Sequence, residues 1–288
     1  MVSFIKAKTI LSKYKTADSW FHIKYSMNLY RGCQHQCIYC DSRSECYRIE
    51  NFAEILVKEN AIELLKKELS RLKEKNTIGT GAMNDPYMPV EKEYELTRKA
   101  LYVIADSQFP VHIMTKSDLI LRDVGLIKEI SKTFATVSFT ITTAKDELSK
   151  IIEPGAPVSS KRFDAIKKFA ASNINVGITL MPILPFITDT EENIEEIVLK
   201  AKEAGTKYIL PAFGMTLRDK QRDFYFEKLK RYLPAAYEKY DKNYKGQYGY
   251  SSGKSKQLEK LFYKLCNDLR IETKIPAYIP QKIQMDLF

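Results

Sequence analysis

From about residue 25 to residue 213, short β-rich segments alternate with amphipathic segments. In "ENAIELLKKELSRLKEK", apolar residues recur at positions 62, 65, 69 and 72, and this three-to-four spacing predicts a helix. Further helices are predicted for "LTRKALYVIADS", "DVGLIKEISKT", "SSKRFDAIKKFAAS" with serine caps, and "TDTEENIEEIVLKAKEAG" with a capping box from Thr188 to Glu191. The remaining segments predict six strands, which are "IKYSMNLY", "TIGTGA", "VHIMT", "ATVSFTIT", "NVGITLMP" and "YILPAF".

Six strands separated by helices are typical of a parallel sheet and therefore of an α/β fold. Six units are too few to close an eight-stranded barrel, so an open, partial barrel and a doubly wound sheet are the alternatives. In either architecture the functional site lies beyond the carboxyl ends of the strands. The loop that follows the first predicted strand belongs at that end of the sheet.

The alternation stops after residue 214. "RDKQRDFYFEKLKRYL" and "KSKQLEKLFYKLCNDL" predict helices, and the final "PAYIPQKIQMDLF" contains two prolines and is expected to be extended. We therefore expect an N-terminal extension (1–24), the strand–helix series (25–215), and a helical C-terminal extension with an extended tail (216–288).

Composition and charge restrict the class of protein. Hydrophobic residues make up 44% of the 288 residues, which is enough for a substantial core. No run of eighteen apolar residues is present and the opening "MVSFIKAKTILSKYK" carries lysines throughout, so we expect no membrane span, no secretory signal and a cytoplasmic location. The net charge of +10 favours polyanionic partners such as nucleic acid. Lysines on solvated helix faces are the alternative explanation.

Four of the five cysteines lie in "RGCQHQCIYCDSRSEC", the first three with the spacing C-x3-C-x2-C. An odd number of clustered thiols does not form a disulfide framework and indicates metal or redox chemistry. A structural zinc site wants four ligands, and here only His35, inside the loop, or Cys46, beyond it, is available as a fourth. A [4Fe-4S] cluster held by three thiolates leaves one iron open for a substrate or cofactor. Zinc and simple electron transfer remain as alternatives.

This spacing, with Tyr39 just before the third cysteine, resembles the radical S-adenosylmethionine superfamily. The motifs "KTILSK", "NLYRGCQHQCIYC", "NDPYMPVEKEYELTR", "MTKSDLILRD", "SFTITT", "EPGAP", "KRFDAI" and "LMPILP" resemble its spore photoproduct lyase-like branch, whose members are often labelled DNA repair photolyases. The resemblance implies a partial (β/α)6 barrel and a [4Fe-4S] cluster on Cys33, Cys37 and Cys40. It also implies that the reduced cluster cleaves S-adenosylmethionine to a 5′-deoxyadenosyl radical, which abstracts hydrogen from the substrate.

The resemblance also implies cofactor contacts at the strand ends. Lys116 matches a lysine that reaches the methionyl carboxylate, Thr140 a hydroxyl on the fourth strand, and Asn84 a polar residue after the second strand. Tyr39 is expected against the adenine, and Arg162 is a further candidate. Each residue has an alternative role. Lys116 could be an ordinary loop lysine, Thr140 an inward-facing barrel residue and Tyr39 a packing aromatic. Arg162, early in its helix, could lie on a solvated face.

Two positions depart from the true lyase. The family enzyme has a cysteine hydrogen donor where Ala82 aligns, and a tyrosine directly after the third cluster cysteine where this chain has Asp41. Both members of its hydrogen-return relay are therefore missing, and we expect a protein that is not the true lyase. Cys46 or Cys266 is a candidate replacement donor, although a lone cysteine is usually a small apolar residue.

Two segments suggest partners. "QMDLF", residues 284–288, resembles the motif with which bacterial DNA proteins bind the sliding clamp, with Leu287 and Phe288 in an apolar pocket and Gln284 at its rim. The alternative is a tail that covers the barrel. The tyrosine-rich residues 237–254 either stack on bases or pack over the barrel mouth. An electron donor such as flavodoxin or ferredoxin completes the expected partners.

These features predict an enzyme that performs radical chemistry. Nucleic acid is a candidate substrate, as in DNA repair or modification. A radical enzyme acting on a peptide or small molecule is the first alternative. A non-catalytic metal-binding protein is the second.

Overall fold

A computed structural model describes residues 1–280. Within them lie twelve strands, which are β1 (Val2–Ile5), β2 (Leu11–Lys13), β3 (Tyr25–Met27), β4 (Tyr30–Arg31), β5 (Ile55–Lys58), β6 (Ile78–Thr80), β7 (Val111–Thr115), β8 (Ala135–Thr140), β9 (Asn175–Leu180), β10 (Tyr208–Pro211), β11 (Met215–Thr216) and β12 (Gly249–Tyr250). The same residues form ten α-helices, which are α1 (Ala61–Leu69), α2 (Glu91–Tyr94), α3 (Leu96–Asp106), α4 (Val124–Ile130), α5 (Asp146–Ile152), α6 (Ser159–Ala171), α7 (Glu191–Glu203), α8 (Asp219–Tyr232), α9 (Pro234–Asn243) and α10 (Ser255–Asp268).

The main sheet contains seven strands in the order β10-β9-β8-β7-β6-β3-β2. Six of these strands, β3 and β6 to β10, are parallel to one another. Strand β2 pairs antiparallel with β3 at the edge of the sheet. The parallel strands follow the chain without the reversal of order that defines a doubly wound sheet. The prediction of a partial (β/α)6 barrel is therefore confirmed, and the doubly wound alternative is wrong.

Several local predictions differ from the structure. The segment "IKYSMNLY" is not one strand, because β3 joins the main sheet whereas β4 turns away to pair antiparallel with β5 in a second sheet of order β1-β5-β4. The predicted capping box on α7 is also wrong. The N-cap is Thr190, whose side chain accepts from the Asn193 backbone N–H, while the Thr188 hydroxyl accepts from the Leu184 N–H. The N-cap of α6 is Val158, which has no side-chain cap.

Three buried polar side chains on β7, β8 and β10 are joined by hydrogen bonds. His112 Nε2 lies 2.7 Å from Ser138 Oγ, which in turn lies 2.7 Å from the Tyr208 hydroxyl. Gly177 on β9 faces the aromatic ring of Tyr208, and a Cβ atom at position 177 would lie only 2.3 Å from that ring. A glycine is therefore required at this position of β9 to leave space for the tyrosine side chain.

After β10 the chain forms the helices α8, α9 and α10 and the short strands β11 and β12. Helix α9 runs into the tyrosine-rich segment over residues 237–243, for which no helix was predicted. Helix α10 packs against α7, and α8 packs against α9. Tyr240 is fully buried against Phe186, Tyr225 and Tyr250, so it packs the extension and cannot stack on a base. Tyr248 by contrast is 62% exposed.

None of the helices in the described part of the chain is long and apolar enough to span a bilayer. The proposed clamp-binding segment, residues 284–288, lies outside the described residues.

Candidate functional site

Cys33, Cys37 and Cys40 are free thiols that line one cavity beyond the carboxyl ends of β6, β7 and β8. Cys33 and Cys37 are buried, and Cys40 is partly exposed. The other walls are His35 and residues 81–85, 114–116 and 140. The structure thus brings the three predicted ligands to the end of the barrel where active sites of this architecture lie.

The segment that carries the three thiols, residues 33–40, is here called the cysteine loop. Gly32 precedes it with a φ of +79°, and a Cβ atom at this position would lie 2.1 Å from the carbonyl oxygen of Glu54. On the other side the Ile38 N–H donates to the Ile152 carbonyl oxygen at 2.9 Å, and the Gly155 N–H donates to that of His35 at 2.9 Å. The loop is therefore held in one conformation by the backbone on both sides.

Burial raises the pKa of the Cys33 thiol to about 12, and it also raises the pKa of Cys37 and Cys40. Thiols in this state need a bound cation before they become thiolate ligands. Among residues 1–280, no three His, Cys, Asp or Glu side chains converge on the position of a single metal ion. Three cysteine thiols that line one cavity are the donor set that a [4Fe-4S] cluster would take from the protein.

Asp85 organises the wall opposite the cysteine loop. Its carboxylate accepts hydrogen bonds from Thr115 Oγ1 and the Lys116 N–H, both at 2.6 Å, and from the Tyr87 N–H at 2.9 Å. Burial alone would raise the pKa of Asp85, but nearby His35 together with the Thr115 and Lys116 donors lowers it to about 2. Asp85 was not among the site residues predicted from the sequence, although it directly precedes a proline in the loop after β6.

Three of the predicted cofactor residues line the cavity, namely Asn84, Lys116 and Thr140. The Asn84 side-chain amide donates to the Tyr30 carbonyl oxygen at 2.7 Å, so part of its hydrogen-bonding capacity is already used. Burial lowers the pKa of Lys116, but the nearby Cys37 and Glu153 outweigh it, so the ammonium stays charged. Lys116 therefore places a positive charge beside the thiols.

Tyr39 and Arg162 lie behind the cavity wall, joined by the buried Glu153. The Tyr39 hydroxyl donates to Glu153 Oε1, and the Tyr39 ring centre lies 5.7 Å from Lys116 Nζ. Glu153 Oε2 lies 2.5 Å from Arg162 Nη2, and Arg162 Nη1 donates to the Thr140 carbonyl oxygen at 2.9 Å. Arg162 is completely buried, so the solvated-face alternative is wrong. The sequence analysis did not identify Glu153.

Burial would raise the pKa of Glu153, but Arg162, Lys116 and Tyr39 lower it overall, so its carboxylate is ionised. The arrangement allows Arg162 to fix the end of β8 and Tyr39 to fix the cysteine loop through one shared carboxylate.

The two positions that depart from the lyase pattern, Ala82 and Asp41, lie in different parts of the structure. Ala82 lines the cavity, as its alignment predicts, whereas Asp41 forms an ion pair with Arg218 and accepts from Thr216 Oγ1 at 2.6 Å. Cys46 is exposed beside Arg218, whose Nη1 lies 3.4 Å from its sulfur. Cys266 is buried in the apolar core. Neither of these two cysteines lines the cavity.

Comparisons with known proteins bear on the family and the fold of the chain. The family model described as the Radical SAM superfamily matches residues 27–201. The chain is 36% identical over 195 residues to an uncharacterized protein, MJ0683, of Methanocaldococcus jannaschii, covering 67% of this chain and 71% of the relative. It is 28% identical over 249 residues to the uncharacterized protein Rv2578c of Mycobacterium tuberculosis, covering 84% and 73%.

Among solved structures, the chain is similar in fold to a spore photoproduct lyase mutant with bound AdoMet and dinucleoside spore photoproduct. The TM-score is 0.65 at 15% sequence identity, with 93% of this chain and 79% of that chain covered.

Proposed function

Because this chain belongs to the radical SAM superfamily, we propose that Cys33, Cys37 and Cys40 hold the [4Fe-4S] cluster of a radical enzyme whose substrate is nucleic acid. When bound, the reduced cluster and S-adenosylmethionine supply reductive cleavage of a C–S bond and, through it, hydrogen abstraction from the substrate. The observation that carries the proposal is the single cavity that the three free thiols share with Lys116 beyond the strand ends.

Two residues of the cavity would contact S-adenosylmethionine, and two further residues hold them in position. The Lys116 ammonium supplies the charge that a methionyl carboxylate requires, since an ionised donor and acceptor form the stronger class of hydrogen bond. Thr140 Oγ1 lies 2.9 Å from Thr179 Oγ1 and presents a hydroxyl to the cavity. Asp85 fixes the backbone of Lys116, and Arg162 fixes that of Thr140. The site is therefore held by buried contacts.

Nucleic acid as substrate is supported by charge and by one exposed aromatic side chain. The net charge is +10. The Arg218 guanidinium lies 5.2 Å from the ring centre of Tyr248 and 5.6 Å from that of Tyr47, at the edge of the extension that contacts the cysteine loop. An exposed aromatic ring beside an arginine can stack on a base while the arginine contacts phosphate. The dinucleoside spore photoproduct of the fold neighbour belongs to that protein and supports the same substrate class here.

The remaining partners are inferred from the cluster, which needs a reductant, and from "QMDLF" at residues 284–288, which resembles a clamp-binding motif. An electron donor such as flavodoxin or ferredoxin reduces the cluster, a sliding clamp binds residues 284–288, and the cytoplasm provides the reducing conditions that three free thiols require.

Binding of a single-stranded DNA oligonucleotide, measured by fluorescence anisotropy at several salt concentrations, tests the substrate class. The proposal predicts that the logarithm of the association constant falls linearly with the logarithm of the salt concentration. Tyr248→Ala weakens binding roughly 5- to 100-fold, the range for one stacked base. Tyr102→Ala, at a tyrosine that is 60% exposed on α3, leaves it unchanged. Binding that responds to neither salt nor Tyr248→Ala would contradict nucleic acid and favour a peptide or small molecule.

A further inference from the structure

His35 is an unsatisfied imidazole inside the cavity of the cysteine loop. Its side chain lies between Cys33 and Cys37 in sequence, lines the cavity with them and is only 1% exposed. Within residues 1–280 neither ring nitrogen has a hydrogen-bond partner, although both are buried. Buried polar atoms are nearly always hydrogen-bonded, so an imidazole without partners requires an explanation.

The imidazole is held in place from two directions. The His35 carbonyl oxygen accepts from the Gly155 N–H at 2.9 Å, which fixes the backbone. Nδ1 lies 3.3 Å from Asp85 Oδ2, close enough for electrostatic contact but not aligned as a hydrogen bond. Asp85 is itself fixed by hydrogen bonds from Thr115 and Lys116. Asp85 lies beside Nδ1 without accepting a hydrogen bond from it, so the ring proton can reside on Nε2, which has no partner among the described residues.

His35 lines the same cavity as the three thiols, where an imidazole nitrogen can either bind iron or donate a hydrogen bond to sulfur. Three cysteine thiolates already supply the ligands of a cluster that keeps one iron open for a cofactor, so a hydrogen bond to sulfur is the role that is left for the imidazole.

We propose that the His35 Nε2–H donates a hydrogen bond to a sulfur of the cluster held by Cys33, Cys37 and Cys40, and thereby raises its reduction potential. The inference rests on the proposed function, since it requires the cluster. Reduction adds one negative charge to the cluster, and a hydrogen-bond donor stabilises the more negative state. His35, in the tautomer that carries its proton on Nε2, then tunes the cluster, and the Gly155 N–H holds its backbone in place.

The test is a potentiometric titration of the reconstituted cluster, followed by electron paramagnetic resonance, in the parent protein and in three variants. His35→Leu removes the donor and is expected to make reduction about tenfold less favourable, which lowers the midpoint potential by about 59 mV. His35→Gln supplies an amide N–H and retains most of the parent potential. His22→Asn changes a histidine outside this cavity and leaves the potential unchanged. His35→Met provides a second variant without a donor should His35→Leu not fold.

An intact cluster with an unchanged potential in His35→Leu would overturn the inference. Loss of iron from both His35→Leu and His35→Gln would also overturn it, because His35 would then act as a ligand or as part of the fold. A parent protein that binds no cluster would instead contradict the proposed function, so the two failures are distinguishable.

Discussion

The carboxylate of Glu153 lies 2.5 Å from the guanidinium of Arg162, and neither side chain has any exposed surface. Glu153 also accepts from the Tyr39 hydroxyl, and Arg162 donates to the Thr140 carbonyl oxygen at 2.9 Å. The ion pair therefore connects the cysteine loop to the end of β8, two elements that are far apart in sequence.

Glu153→Gln is expected to destabilise the fold strongly, because it leaves a buried guanidinium without its counter-charge. The free energy of unfolding should fall by about 3–5 kcal/mol in chemical denaturation. The double variant Glu153→Gln/Arg162→Met should lose less than the two single variants together, since it removes both charges. Glu129→Gln, which breaks the exposed ion pair with Lys132, is the control and should change stability by at most about 1 kcal/mol. Equal losses at the buried and exposed pairs would refute the role of this ion pair.

The stability of the protein should depend on pH through His112. Burial lowers the pKa of His112 from its ordinary value of 6.5 to about 4. Between these values the unfolded chain binds a proton that the folded protein does not, so stability rises from about pH 4 to pH 6.5 and is level above it. The contribution of His112 over this interval is about 3 kcal/mol. Denaturation of His112→Gln from pH 4.5 to 8 should show a correspondingly flatter profile than that of the parent. A profile as steep as the parent's would show that His112 does not carry this dependence.

Asp41 should anchor the C-terminal extension to the cysteine loop. It pairs with Arg218 and accepts from Thr216, while Gln221 on α8 donates to the Tyr39 carbonyl oxygen at 3.1 Å. Asp41→Ala removes the acceptor for both C-terminal partners and should increase amide hydrogen exchange in residues 41–47 and 216–222 severalfold. Asp223→Ala, at an exposed position on the same helix, is the control and should leave exchange in 41–47 unchanged. Identical exchange in both variants would show that Asp41 is not an anchor.

Lys116→Met should weaken the binding of S-adenosylmethionine while leaving the cluster in place. Hydrogen bonds to charged groups contribute about 1.5–3 kcal/mol, which corresponds to roughly 10- to 100-fold in affinity. Equilibrium dialysis on the reconstituted protein measures this loss, and iron analysis shows that the cluster is retained. Lys150→Met, at a lysine that is 59% exposed, provides the matched control. Unchanged affinity in Lys116→Met would remove this lysine from the cofactor site.

The sequence predicted the fold well because alternating strand and helix patterns are local. All six parallel strands were predicted, and so was the position of the cysteine loop at their carboxyl ends. The sequence did not predict that the strand ends at Met27 and that a new one begins at Tyr30. The apolar pattern continues across this point, although β3 pairs with β6 and β4 pairs with β5. Similarly, the true cap of α7 at Thr190 was obscured by a second threonine at position 188 that fits the same motif.

The site was predictable where a motif names the residues and not where distant segments meet. The three cysteines and Lys116 follow from short motifs. Glu153 lies 114 residues from Tyr39, and only the folded barrel brings the two side chains together. Arg162 follows two serines and a lysine at the start of a helix, a composition typical of a solvated face, although it is buried. Its burial depends on the carboxylate that the sequence does not place beside it.

We propose that the cysteine loop holds one [4Fe-4S] cluster that cleaves S-adenosylmethionine. Anaerobic reconstitution with iron and sulfide, reduction, addition of S-adenosylmethionine and quantification of 5′-deoxyadenosine test this directly. We expect 5′-deoxyadenosine from the parent protein and none from Cys37→Ala. Tightly bound zinc without 5′-deoxyadenosine from the parent would contradict it.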